Sequence, residues 1–91
     1  MDREIAVRAR ALPVLDRVER DGESVVLAGR QVVRLSALAT TLLAACVDWC
    51  AVEDLAGELV AQFGDPPSGE ARSVTAAALT ELRAHGLVEL D

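Results

Sequence analysis

The chain contains no lysine and no tyrosine, and only one histidine, one tryptophan, one phenylalanine and two cysteines among its 91 residues. These scarcities restrict what it can do. General acid–base and nucleophilic catalysis need titratable groups that converge, and one imidazole with no lysine or phenol supplies little to converge. No glycine-rich phosphate cradle, no histidine or cysteine cluster and no activated nucleophile can be identified. Cys46 and Cys50, four residues apart, have neither the count of a disulfide framework nor a metal-ligand spacing, and read as small apolar side chains on or just past a helix. His85 precedes Gly86 at the end of a helical pattern, where an imidazole complements the last carbonyls. No apolar run approaches the roughly 20 residues that span a bilayer. The opening MDREIAVRARAL has neither a basic leader nor an apolar signal core. The expectation is a cytoplasmic protein that is not an enzyme, needs no cofactor or metal, and has no membrane partner.

Charge is present but unevenly placed. Fifteen acidic residues face nine basic ones, every one of them arginine, for a net charge of −6. Residues 1–35 carry a net of +1, whereas residues 36–91 carry −7. A protein that neutralises phosphates gains from counterion release through a basic face, so the acidic second part argues against nucleic acid as a partner. A hydrophobic content of 52% is that of a globular chain. At this length it forms one domain that buries about two-thirds of the surface its unfolded form exposes.

Periodicity changes once, and the elements fall on either side of the change. Gln31 to Leu35 alternates with period two, as a half-buried strand does, and Ser36 then offers a hydroxyl to the free N–H groups of a following helix. Upstream, Asp21-Gly22 separates VLDRVER from ESVVL, a strong hairpin signal because both central residues of a type I′ turn need positive φ. Ala28-Gly29 is a weaker version of the same signal. The pattern predicts a three-strand antiparallel meander at Val14 to Glu19, Ser24 to Leu27 and Gln31 to Leu35. The outer edge of the third strand then keeps a row of unpaired N–H and C=O groups. Residues 1–13, closed by Pro13, form an N-terminal arm ahead of a domain at 14–91.

Leu38, Leu42, Leu43, Cys46 and Val47 recur at helical spacing and predict a first helix over Ala37 to Val47. A second begins near Val52, with Glu53 and Asp54 favouring the positive end of its dipole, and stops at Gly64 before Asp65-Pro66-Pro67. A third runs from Ser68 or Gly69 to His85, with Val74, Ala78, Leu79 and Leu82 as its core contacts. LVEL then returns as a short extended segment to the sheet. Glu53, Asp54 and Glu58 read as a solvated helix face. Trp49, at the turn between the first two helices, reads as an anchor that closes a small core. Strands first and then three helices make an α+β fold of the winged helix-turn-helix kind.

The run VVLAGRQVVRLSALATTLLAACVDWCAVEDLAGELVAQFGDPP, followed by LTELRAHGLVEL, resembles the PqqD-like family of peptide-recognition domains over roughly residues 14–90. Leu35-Ser36 matches the strand end, Cys46 keeps its place, Val52 and Asp54-Leu55 fit the start of the second helix, and Leu79, Leu82, Gly86 and Leu87 fit the family's ending. Val47-Asp48 stands where the family often has Asp-Gly, and Ala51 where Ser or Thr is usual. The resemblance implies a domain that binds the leader of a ribosomally made precursor peptide. In this family the leader adds as an antiparallel strand to the edge of the third strand, in a groove beside the third helix. Gln31, Val32, Val33 and Arg34 would present the edge, and Arg72, Thr75, Ala76, Leu79 and Arg83 the helical wall. The implied partners are the precursor peptide and a separate modifying enzyme, such as a radical SAM enzyme, a cyclase or a leader peptidase.

Two other classes compete. A winged-helix transcription regulator would send its third helix into a major groove, yet only Arg72 and Arg83 are basic there and Glu70 and Glu81 oppose them. A structural adaptor docked on a larger enzyme would need nothing beyond the fold. The open edge could also be shielded by the N-terminal arm or by a second copy of the chain in a homodimer.

Overall fold

A computed structural model describes residues 7–91 of the chain. Its elements run β1 (Arg8–Ala11), β2 (Asp16–Arg20), β3 (Glu23–Ala28), β4 (Gln31–Leu35), α1 (Ala37–Ala45), β5 (Cys50–Ala51), α2 (Val52–Phe63), α3 (Ala71–Ala84) and β6 (Val88–Leu90). The fold is α+β, with an antiparallel meander followed by helices, in the order that the periodicity predicts.

The meander is β2-β3-β4. Asp21 (φ 56) and Gly22 (φ 83) both lie in the left-handed region, as the type I′ turn between Arg20 and Glu23 requires. At the second hairpin Gly29 (φ 60) takes the first central position of a two-residue turn and Arg30 has negative φ, the pattern of a type II′ turn. Ser24, Val26, Val33 and Leu35 turn inward and are buried. The buried hydroxyls of Ser24 and Thr40 meet at 2.8 Å and fasten β3 to α1.

Residues 8–11 are not part of an appended arm; residues 1–6 lie outside the described residues. β1 is the middle strand of a second antiparallel sheet, β5-β1-β6, and Ala9 is fully buried in the core. The C-terminal segment therefore returns to β1 and not to the meander, with Ala9 opposite Leu90 and Ala11 opposite Val88. Side chains on the other face reinforce the pairing. Arg8 and Arg10 form ion pairs with Asp91 and Glu89, and their guanidinium carbons lie 5.5 and 5.0 Å from the Trp49 ring centre. Trp49 thus anchors the small sheet through stacked arginines.

The Arg8 guanidinium, bonded to the Asp91 carboxylate through Nε at 2.8 Å, holds that carboxyl below its ordinary value of 3.8. A depressed carboxyl stabilises the fold above its unfolded value and loses that contribution as pH falls through the folded one. The Asp91 carboxyl resonance is therefore expected to titrate below 3.8 in the native protein, and Arg8→Gln is expected to return it toward 3.8.

Local caps and one tertiary bond set where the helices begin and end. Ser36 caps α1, its Oγ accepting from the Ala39 N–H at 3.2 Å. The helix stops at Ala45, two residues short of the expected Val47, where the Ala11 N–H captures the Cys46 carbonyl at 2.7 Å. A tertiary bond to β1 takes the acceptor that would sit in the helix end. α3 starts at Ala71, since Gly69 at φ 78 is left-handed and cannot belong to the helix. It ends in a Schellman motif, with Gly86 N–H to Arg83 C=O at 2.9 Å and Leu87 N–H to Leu82 C=O at 2.9 Å. That turn delivers the buried Leu87 into the core beside Leu82.

Ala51 is the N-cap residue of α2 and offers no side-chain acceptor. A serine there would satisfy an N–H of the first turn. Ala51→Ser is expected to stabilise the domain by about 1 kcal/mol and to raise Tm by roughly 4–8 °C, read from a thermal melt.

Candidate functional site

The open edge lies on β4, which pairs with β3 on one side and with no other described strand. Which of its groups are free follows from the register. Ala28 and Gln31 close the two-residue turn, and a closing pair of this kind exchanges both hydrogen bonds. Alternation then directs the N–H and C=O groups of Gln31, Val33 and Leu35 toward β3, and those of Val32 and Arg34 outward. Val33 therefore does not present backbone to the edge; its side chain is 8% exposed and belongs to the core. Val32 is 70% exposed and Arg34 is exposed, both on the outer face. Gln31 is exposed at the turn end.

The residues expected as a helical wall divide differently. Thr75 and Leu79 are each 1% exposed and pack inside the domain. Arg72, Ala76 and Arg83 are exposed. Arg72, Ala76 and Leu79 line a cleft of about 170 Å³ with Val7, Val52, Thr80 and Leu90, so this flank of α3 looks toward β1 and β6, and no β4 residue borders it. Arg83, eleven residues after Arg72, falls on the same helical flank.

The opposite flank, Ala71 and Val74, borders a second apolar cleft of about 170 Å³ with Leu38, Val60 and Phe63. Leu38 comes three residues after the end of β4, across the Ser36 cap. Sequence reasoning placed Val74 among the core contacts of α3 and missed this surface. The signal was there in Phe63, an aromatic at the last position of α2, which the structure leaves 48% exposed.

Among the described residues there is no group of three or more His, Cys, Asp or Glu side chains placed to hold a metal. No helix of the described residues is long and apolar enough to cross a membrane. Burial pushes the Cys46 thiol up, helped by nearby Cys50, and burial with Asp54 and Glu58 does the same to Cys50. Both thiols are thereby kept in the unreactive form.

Among the described residues, the site thus consists of one unpaired strand edge on β4 and two apolar clefts flanking α3. The family model for "Coenzyme PQQ synthesis protein D (PqqD)" matches residues 23–88, from the start of β3 to the first residue of β6. The chain belongs to the PqqD family, a family of recognition elements for ribosomally synthesised and modified peptides. The family is non-catalytic and works with a peptide partner in such biosynthesis. No curated protein and no solved structure matches the chain.

Proposed function

We propose that the protein binds the leader of a ribosomally synthesised precursor peptide by strand addition at β4 and delivers it to a separate modifying enzyme or leader peptidase. The observation that carries this reading is the outward-facing backbone of Val32 and Arg34. Main-chain hydrogen bonds to such an edge supply affinity for any extended peptide, and pockets for alternate side chains supply selectivity. An antiparallel leader enters beside Leu35 and leaves past Gln31. Its inward side chains meet the core face next to Val33 and Leu35. Leu38 and Val74 line the apolar cleft at the entry end, and on this reading they replace Arg72 and Ala76 as the helical wall. Holding the precursor raises its concentration near the enzyme that modifies it.

The test is a titration of the isolated protein with a synthetic leader encoded by a short neighbouring reading frame, followed by fluorescence polarisation. The expected result is a one-to-one complex with a Kd on the order of micromolar or below. A leader that binds only when the modifying enzyme is present would contradict recognition by this chain.

A further inference from the structure

The β4 edge has a charge as well as a register. Arg34 projects from the outer face, and its cross-strand neighbour on β3 is Val25. It makes no ion pair with another described residue, although Glu23 and Asp21 border the same concavity of the meander's turn end. On its free side no described residue stands directly opposite it, and an incoming strand would.

We propose that Arg34 is a specificity-determining residue, selecting a leader with an aspartate or glutamate opposite it and an apolar residue on either side of that acid. The inference rests on the strand-addition reading above and adds the chemistry of the peptide. In an added antiparallel strand, residues directly opposite one another share a face. The leader residue facing Arg34 therefore lies on the outer face with its Cβ about 5 Å from that of Arg34, within reach of an ion pair. Its two neighbours, opposite Leu35 and Val33, point inward, where both β4 side chains are buried and a charge would be desolvated without a partner. The residue opposite Val32 returns to the outer face beside a side chain that is 70% exposed, and an apolar residue there covers it. Read from the leader's N-terminus, the motif is apolar, acidic, apolar, apolar. An exposed cross-strand ion pair is worth about 0.2–1 kcal/mol, so the acid contributes roughly 1.5- to 5-fold in affinity, while the inward apolar residues contribute more.

Selection of phage-displayed random peptides against the intact protein and against Arg34→Glu tests this. The wild-type pool is expected to enrich an acid between two apolar residues, and the Arg34→Glu pool a lysine or arginine at that position with the apolar neighbours kept. Amide NMR of the best binder on each protein locates the complex. Binders that perturb Val32 and Arg34 but carry no charge preference, or the same preference in both pools, overturn the role of Arg34 and leave strand addition standing. Binders that perturb neither residue overturn strand addition itself.

Discussion

Ala9→Asp is expected to unfold the domain at room temperature. Ala9 is fully buried in the middle strand of β5-β1-β6, opposite Cys50 on one side and Leu90 on the other. A carboxylate at that point has no cationic partner on its own face of the sheet, since Arg8 and Arg10 alternate to the other. An unpaired buried charge costs several kcal/mol even after the group shifts its protonation. A domain of this size has roughly 5–14 kcal/mol in total. The far-UV circular dichroism of Ala9→Asp should lack a cooperative melt, whereas Leu15→Asp, at a side chain 71% exposed, should melt like the wild type. If residues 8–11 were a dispensable arm, the two variants would behave alike.

That contrast marks where the sequence was legible and where it was not. The meander was readable because turn chemistry is local: Asp21-Gly22 needs no distant partner to declare a hairpin. Ser36 and Gly86 announced a helix start and a helix end for the same reason. The second sheet was not readable, because β1 and β6 are separated by almost the whole chain and neither is apolar on both faces. The clue lay in complementary spacing, with Arg8 and Arg10 two apart near one end and Glu89 and Asp91 two apart near the other, a charge ladder that only pairing explains. At the site, the open edge followed from the strand count, but which flank of α3 faces β1 and β6 did not. Arg72, Ala76 and Arg83 fit an exposed wall as well as Ala71, Val74 and Ala78 do until the packing of α3 on β6 is known. Thr75 looked small and polar enough for a groove, yet tertiary packing places it in the core, where Thr75→Trp would overfill the interior and not merely obstruct a peptide.

Val32→Pro is expected to weaken peptide binding on the order of a hundredfold while leaving the fold in place. The Val32 N–H points away from β3, so the substitution removes no intramolecular ladder bond, and proline is tolerated on edge strands in this orientation. For an incoming strand the change removes a donor, leaves the leader's carbonyl without a partner and puts the ring in its path. Losing one such bond costs about 1–3 kcal/mol and the steric term adds to it, so affinity should fall on the order of a hundredfold. Val33→Pro is the informative counterpart, since its N–H bonds to β3 and its loss should lower Tm instead. A Val32→Pro protein that melts normally and still binds the leader with unchanged affinity would place the peptide elsewhere.

Amide hydrogen exchange, followed residue by residue in NMR spectra with and without a saturating leader peptide, tests the open edge most directly. In the free protein the Val33 and Leu35 amides should exchange slowly, held by β3, and the Val32 and Arg34 amides rapidly. On binding, Val32 and Arg34 should become protected, closing the alternation along β4. Protection that already covers Val32 and Arg34 in the free protein, or that appears on binding only along α2, would contradict the account.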